Sequence, residues 1–247
     1  MSRRGRIALF LAGGAGLAVL LGFGVSGLHG FGHYPGPYGT ILNRSAVPQR
    51  HATNVVSAVV FDYRAIDTLG EELILFCAVT GMALLLRSTR QEDVGEMQDP
   101  VHSDALRAVG LAAVPVVVLL AIYIAAHGYI TPGGGFQGGV AAAGGLLLVY
   151  LAGEWRALRH AAPEPAVDAV HSLGAGAFVA LGFATLAAGG AFLENLLPLG
   201  TPGTLTSSGT IAVANWCAGI EVTAAFVLVF SEFLTEMLLE RKKAGAA

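Results

Sequence analysis

Long apolar runs without charge dominate the pattern of the chain. The stretch Ile7–Leu28 contains no Asp, Glu, Lys or Arg, and neither does Ala108–Gly153, which a Pro- and Gly-rich segment interrupts. Ala169–Leu193 is also free of charge, and Ile211–Glu232 holds one charge, Glu221, before its last residue. About 20 apolar residues cross the hydrocarbon core of a bilayer as a helix, and a helix satisfies its own backbone hydrogen bonds there.

A further span comes from Asn54–Arg87, where charges interrupt the apolar pattern and Leu73–Leu86 alone is short. Two interpretations stay open. One is a single long helix whose charges face protein, and the other is an interfacial helix followed by a span that starts near Thr68. Either way we predict an all-α, polytopic membrane protein with six spans. The other five spans are predicted at Ile7–Leu28, Leu106–Ala126, Phe136–Gly153, Ala169–Leu193 and Ile211–Glu232.

The distribution of basic residues predicts the orientation of these spans. If the N-terminus is cytoplasmic, all of the 14 Lys and Arg residues except Arg44, Arg50 and Arg64 fall on the cytoplasmic side. Basic loops stay in the cytoplasm, so both termini are predicted to be inside. A cleaved signal peptide is disfavoured for Ile7–Leu28, because the run is long and no Ala-x-Ala site follows it.

Composition agrees with a membrane protein and excludes other classes. Of 247 residues, 54% are hydrophobic and 13% are charged, whereas soluble domains are about 25% charged. The net charge of −3 offers no basic surface for nucleic acid. Cys77 and Cys217 lie in predicted spans and are expected to be buried free thiols. His29 and His33 lack a third ligand, so no metal site is predicted. No other cofactor and no enzymatic role is predicted either.

The chain is predicted to contain two modules. Residues 1–90 form a two-helix module, and residues 104–240 form a four-helix module. The acidic segment 91–103 reads as a cytoplasmic linker, and residues 241–247 form a basic cytoplasmic tail. Gly30–Arg50, which contains three prolines, is expected to be an external loop.

The segment Phe61–Glu72 carries a dense group of charges beside a span. These residues are Asp62, Arg64, Asp67, Glu71 and Glu72. On a helix, Arg64, Asp67 and Glu71 would share one face. Ionisable groups near the hydrocarbon boundary are costly and tend to face protein or water, so this face is a candidate ion path. The alternative is an interfacial helix whose charges rest among lipid headgroups.

A Pro- and Gly-rich segment separates the third and fourth spans. Its residues of interest are His127, Pro132, Gly133, Gly134, Gly135, Phe136, Gly138 and Gly139. Irregular backbone at membrane depth survives where it is buried in protein or lines a cavity, and Gly permits close approach of backbones. We therefore predict a structural loop that contacts another helix or subunit, with a plain external hairpin as the alternative.

Glu221 is the only carboxylate deep inside the last predicted span. An ionisable residue within the membrane is a functional candidate by default, although a helix–helix hydrogen bond is the alternative role. Both lysines, Lys242 and Lys243, are at the C-terminus. With so few charges in its spans and no convincing internal repeat, the chain is predicted to be one subunit of a larger assembly.

These motifs resemble a known family. Asn54–Glu71 resembles the C-terminal module of the large A-type subunit of Mrp-type multisubunit cation/proton antiporters, a module that stands alone in membrane-bound hydrogenases. His127–Gly139 and Gly219–Val222 resemble the B-type subunit of the same antiporters. The two likenesses together cover most of the chain. Ala65-Ile66 stands where the family usually has Gly-Phe.

The resemblance implies a membrane subunit of a Na⁺/H⁺ antiporter complex in a bacterial or archaeal plasma membrane. Its partners would be large A- and D-type and small C-, E-, F- and G-type subunits. The resemblance places Asp62, Arg64, Asp67 and Glu71 in the path of Na⁺ and H⁺, and Glu72 and Glu221 complete the candidate set. The alternative is a scaffold subunit of a complex I-related membrane-bound hydrogenase or another redox-driven ion pump.

Single cysteines, on a background that lacks Cys77 and Cys217, test the orientation. A cysteine placed within residues 32–48 should react in intact cells with a thiol reagent that cannot cross the membrane, because this segment is predicted to be external. One placed within residues 91–98 should stay unlabelled until the cells are opened. The opposite pattern would overturn the orientation, and labelling of both segments from outside would overturn the six-span count.

Overall fold

The computed structural model describes residues 3–28, 32, 36–89 and 103–245, and side chains to 240 except that of Thr89. His29, His33 and nearly all of the predicted linker lie outside the described residues. The described part contains helices and no strand. The α-helices are α1 (Arg3–Ser26), α2 (Tyr38–Arg50), α3 (Val55–Ala58), α4 (Ala65–Thr89), α5 (Asp104–Ala126), α6 (Gly135–Ala161), α7 (Glu164–Ala187) and α8 (Thr210–Gly245).

Six of these helices, α1 and α4 to α8, are long and apolar enough to cross a membrane. The prediction of an all-α chain with six spans is confirmed. Helix α6 runs past the predicted end at Gly153, through a kink at Glu154, where φ is 64°. Helix α7 begins five residues before its predicted start, directly after Pro163, since a proline outside the helix and another in its first turn favour a start there.

Two local expectations are wrong. Gly30–Arg50 was expected to be a loop, but Tyr38–Arg50 forms α2 and accommodates Pro48 within the helix. Cys77 was expected to be buried, but it is exposed on α4, whereas Cys217 is buried as expected. The α4 surface therefore offers a free thiol.

The stretch Asn54–Arg87 is neither one long helix nor a simple interfacial helix. Asn54 caps α3 by accepting a hydrogen bond from the Val56 amide at 3.1 Å. A π-helical turn, Val59–Tyr63, follows, and the chain leaves helical geometry at Arg64, where φ is −135° and ψ is 37°. The span α4 then begins at Ala65. A break before the span was one of the two interpretations, and its position is three residues earlier than proposed.

Two compact units make up the chain, Met1–Ile41 and Leu42–Ala247. In the larger unit, α8 packs against α4, α6 and α7, and α5 packs against α6. Helix α7 turns one stripe of residues inward, at the spacing of three and four that gives a helix one buried face. The buried residues of that helix are Val167, His171, Gly174, Ala175, Phe178, Gly182 and Thr185.

Asn215 of α8 joins the end of α5 to the start of α6. Its side-chain amide donates to the Ala125 carbonyl at 2.6 Å, and its carbonyl oxygen accepts from the Gly135 amide at 2.6 Å. Asn215 is fully buried, and both ends of its side chain are paired. The hydrogen bonds therefore fix the loop between α5 and α6 directly onto α8.

Helices α6 and α8 approach each other through glycines. A Cβ atom on Gly135 would overlap the backbone oxygen of Asn215, and one on Gly139 would lie 2.8 Å from the Gly219 oxygen. Gly144, further along α6, has open space beside it. The closest approach through glycines thus lies in the first turns of α6.

Gly135→Ala should lower the stability of the fold by about 1–3 kcal/mol, because the new methyl group has no room and the helices must separate. Gly144→Ala, on the same helix, is the matched control and should be neutral or stabilise by up to about 1 kcal/mol. Thermal melting of the detergent-solubilised protein measures both. Equal melting temperatures for the two variants would show that the α6–α8 contact tolerates a side chain.

Candidate functional site

One face of α4 lies against α7 and α8 and carries ionisable groups at both ends. Residues on this face recur every three or four positions. They are Thr68, Glu72, Phe76, Val79, Ala83 and Arg87. The Glu72 side chain is 1% exposed, and neither of its carboxylate oxygens has a hydrogen-bond partner in the described structure. Most buried polar groups are hydrogen-bonded, so Glu72 is unusual.

Glu221 occupies the interface between α7 and α8. It is fully buried, and a Cβ atom on Gly174 of α7 would lie 2.7 Å from the Glu221 Cβ. Gly174 therefore leaves the space in which the glutamate side chain sits. Both carboxylate oxygens lack a hydrogen-bond partner among the described residues. The helix–helix hydrogen bond that was the alternative role of Glu221 is not formed there.

His171 of α7 lies about one turn from Gly174, which contacts Glu221, and was not identified from the sequence. It is 2% exposed, and its ring stacks on the Phe76 ring with 4.8 Å between the ring centres. The backbones of Phe76 and Glu221 lie close to the ring, although their geometry is not that of a hydrogen bond, and the carboxylate of Asp168 acts on it electrostatically. Neither ring nitrogen has a hydrogen-bond partner in the described structure. Glu72 lies one turn before Phe76 on α4, so His171 connects its surroundings with those of Glu221.

Arg87 lies at the other end of this face of α4. Its guanidinium contacts Glu232 at 2.7 Å, Asp168 at 2.8 Å and Glu164 at 3.1 Å. The Glu232 side chain is only 3% exposed. Arg159 contacts the second oxygen of Glu164 at 2.9 Å. This group, which we call the Arg87 cluster, ties α4, α7 and α8 together.

Ionisable side chains therefore form a row through the α4–α7–α8 interface. Glu72 and Arg87 are about 22 Å apart along α4, at about 1.5 Å per residue. Glu221 and Glu232 are about 16 Å apart along α8 and lie on nearly the same face, because eleven residues complete about three turns. The row thus extends over most of a hydrocarbon core of about 30 Å. Among the described residues, seven buried side-chain atoms have no hydrogen-bond partner, and six of them belong to Glu72, His171 and Glu221.

The predicted charge cluster at the start of α4 is divided between the interior and the surface. Asp62 is buried and contacts Arg50 at 2.6 Å. Arg64 contacts Asp67 at 2.5 Å, but about half of each side chain is exposed. Glu71 is also exposed, whereas Glu72 points inward. Arg64 precedes α4, so its pairing with Asp67 follows from the break in the chain and not from a shared helix face.

A cleft brings the two sequence motifs together. It has a volume of about 230 Å³ and is lined by residues that include Thr68, Glu71 and 133–137. The side chains before the break hold the Gly-rich loop in place, since the Asn54 amide donates to the Gly128 oxygen at 2.6 Å and the Ser57 hydroxyl donates to the same oxygen at 2.6 Å.

The Gly-rich loop itself contacts three parts of the bundle. Gly133, where φ is 158°, and Gly138 face α5, whose Ile124 oxygen and Ala125 Cβ leave no room for a side chain. The remaining predicted loop residues take different positions. His127 stacks on Tyr123 at the end of α5, Pro132 is exposed, Gly134 adopts a φ of 152°, Phe136 packs against the core, and Gly135 and Gly139 face α8. The loop thus contacts α5 and α8 in the described structure.

Comparison with known proteins agrees with the family resemblance that the sequence motifs indicate. Residues 105–228 match the model of a domain related to the MnhB subunit of Na⁺/H⁺ antiporter. A probable A/B-type K⁺/H⁺ antiporter subunit of Rhizobium meliloti is 37% identical over 128 residues, which is 42% of this chain and 13% of that protein.

Two solved structures share the fold. A chain of the membrane-bound sulfane sulfur reductase, an archaeal respiratory membrane complex, superposes with a TM-score of 0.72 at 28% identity, over 93% of this chain and 98% of that one. A chain of the Mrp complex from Dietzia sp. superposes with a TM-score of 0.70 at 25% identity, over 94% of this chain and 26% of that one.

The fold and the buried row define a polytopic helical membrane protein with ionisable groups inside its helix bundle. The chain belongs to the family of domains related to the MnhB subunit of Na⁺/H⁺ antiporters. The resemblance inferred from the motifs is confirmed, and the structural likeness to the Mrp complex extends over both predicted modules.

Arg87→Met should destabilise the fold by about 3 kcal/mol or more, because it removes the guanidinium that contacts the buried Glu232 carboxylate at 2.7 Å. Arg64→Met is the matched control, since its ion pair is exposed and should contribute no more than about 1 kcal/mol. Thermal melting in detergent compares the two, and Glu232→Gln added to Arg87→Met should recover part of the loss. Equal losses for the two arginines would show that the Arg87 cluster adds nothing beyond an exposed ion pair.

Proposed function

We propose that the row formed by Glu72, Glu221, His171 and the Arg87 cluster is an ion path, within the cation/proton antiporter-type complex of which this chain is a membrane subunit. The observation that carries the proposal is the burial of Glu72 and Glu221 without hydrogen-bond partners in the part of the chain that the structure describes. A charged side chain in the membrane interior is costly, and a purely structural carboxyl would be paired. Two such groups on facing helices favour transient occupation by an ion or a proton.

The charged residues at and just before the start of α4 form the entrance to the path in this proposal. Asp62, Arg64, Asp67 and Glu71 lie around the end of α4 from which Glu72 points inward, and Glu71 lines the cleft beside the Gly-rich loop. Exposed charges of both signs attract and release ions without a large energy barrier, since water screens them. With the N-terminus in the cytoplasm, this entrance is external and the Arg87 cluster is cytoplasmic.

Partners and location follow from the same proposal. The structural relatives are chains of multisubunit membrane complexes, so we propose that this chain assembles with large A- and D-type and small C-, E-, F- and G-type subunits in the plasma membrane of a bacterium or archaeon. Na⁺ is the proposed cation, and K⁺ is tested beside it because the Rhizobium meliloti relative is a probable K⁺/H⁺ antiporter subunit.

A second candidate role is that of a scaffold in a redox-driven complex. It is favoured by the structural match to one chain of the sulfane sulfur reductase complex, because the match covers 98% of that chain. Purification of the native complex separates the two possibilities, because iron–sulfur subunits absorb visible light and antiporter subunits do not. In the scaffold role the buried carboxylates would be dispensable for ion movement.

Glu72→Gln and Glu221→Gln should each abolish most of the exchange while the complex still assembles, because the amide keeps the volume of the carboxyl but does not exchange a proton. Asp67→Asn and Glu71→Gln should reduce exchange less, since these residues are exposed and lie only at the entrance. The measurement is Na⁺- and K⁺-driven proton movement, over a range of pH, in everted vesicles that contain the whole complex.

Glu240→Gln is the matched control, because Glu240 is an exposed carboxylate near the end of α8; it should leave exchange unchanged. Assembly is checked by co-purification of the other subunits. If Glu72→Gln and Glu221→Gln both assemble and exchange ions at wild-type rates across the pH range, the buried row is not an ion path and the scaffold role is favoured.

A further inference from the structure

We propose that His171 is a proton carrier and that the α4–α7–α8 row conducts protons, not the metal cation. This inference deepens the proposed function and rests on it, because it names the ion that uses the row. It stands on three observations: the position of His171 between Glu221 and the Arg87 cluster, its burial, and the absence of a hydrogen-bond partner for either ring nitrogen in the described structure.

The chemistry of the row does not suit an alkali cation. Hard cations bind several converging oxygen atoms from carboxylates, carbonyls and water, whereas imidazole nitrogen suits transition metals. Within the described residues, no three carboxylate, imidazole or thiol side chains converge to hold a metal ion. Glu72, His171 and Glu221 come from three different helices and are spread along the bundle. Such groups can each hold a proton in turn, but they do not surround one cation.

An imidazole is suited to this position because it has two nitrogens. In its neutral form one nitrogen accepts a proton and the other donates one. A proton that leaves the Glu221 carboxyl adds to the unprotonated nitrogen, and the proton on the other nitrogen passes on toward Asp168. One proton moves in each step, and the net charge of the row is unchanged. Stacking on Phe76 keeps the ring plane fixed between the two sides.

The ionisable groups on the helices around His171 lie at different depths in the bundle. On α4 these are Glu72, one turn from Phe76, and Arg87 at the far end; on α7 Asp168 precedes the histidine by one turn and acts on it electrostatically. Glu221 and Glu232 of α8 lie on either side of it along the bundle. The described side chains of Glu221 and His171 make no direct hydrogen bond, so ordered water molecules are expected to bridge them, as they do between separated buried polar groups.

His171→Gln tests the inference in the complete complex, purified and reconstituted in lipid vesicles. Glutamine hydrogen-bonds but does not titrate, so the maximal rate of cation-driven proton movement should fall by at least about tenfold, a threshold set below the roughly hundredfold that a group transferring a proton usually contributes. The KM for Na⁺ or K⁺ should stay unchanged. His160→Gln, the same substitution at an exposed position at the end of α6, should leave both parameters unchanged.

Glu221→Gln provides a second variant if His171→Gln does not assemble. For a proton path it should lower the maximal rate without changing the KM for the cation. A tenfold rise in that KM for either variant would show that the row binds the cation, and it would overturn the inference.

The remaining outcomes separate this inference from the proposed function. If Glu72→Gln and Glu221→Gln lose exchange while His171→Gln keeps the wild-type rate and pH profile, the histidine carries no proton and only the inference fails. If all three variants exchange ions like the wild type, the proposed ion path fails as well.

Discussion

The two hydrogen bonds of Asn215 are the constraint on which the arrangement of the bundle depends. They fix the rotation of α8 against the α5–α6 loop, with glycines allowing the helices to approach. Glu221 lies six residues further along α8, about a third of a turn around the helix. Because α8 is turned so that Asn215 meets α5 and α6, Glu221 faces Gly174 of α7. A polar contact at one end of the helix thus directs a carboxyl into the interface that contains His171.

The buried polar side chains fall into two sets, one with hydrogen-bond or ion-pair partners and one without. Asn215 has a partner at each end, and the Arg87 guanidinium meets three carboxylates. Glu72, His171 and Glu221 have none among the described residues. Elsewhere in the described residues, buried polar side-chain atoms are paired, except for one oxygen of Asp62. Unpaired burial costs free energy, so its persistence at three facing positions indicates a demand other than stability.

Much of the fold could be predicted from the sequence, because the length of an apolar run determines whether a helix crosses the membrane. Glu221 was found because a carboxylate stands out in such a run. His171 was missed because the runs were defined by the absence of fully charged residues, which a histidine satisfies. From the sequence, Arg87 indicates only the orientation of the membrane spans. Its partners lie more than 70 residues away in the chain, and no local spacing indicates them.

The break at Arg64 illustrates the same limit at shorter range. Helical spacing placed Arg64, Asp67 and Glu71 on one face, but the π-helical turn and the break rotate the chain before α4 begins. Asp62 therefore reaches Arg50 at the end of α2, and Glu72 becomes the carboxylate that points inward. Which of five neighbouring charges enters the interior is decided by how α4 packs on α7 and α8.

The row also draws on both predicted modules. Glu72 and Arg87 belong to the segment before residue 90, whereas His171, Glu221 and Glu232 belong to the segment after residue 104. Neither segment alone contains a continuous series of ionisable groups. The likeness to the longer Mrp chain extends across both segments, as expected if the interface between them is what the fold preserves. The function proposed here thus belongs to the contact between α4 and the α7–α8 pair, and to neither motif alone.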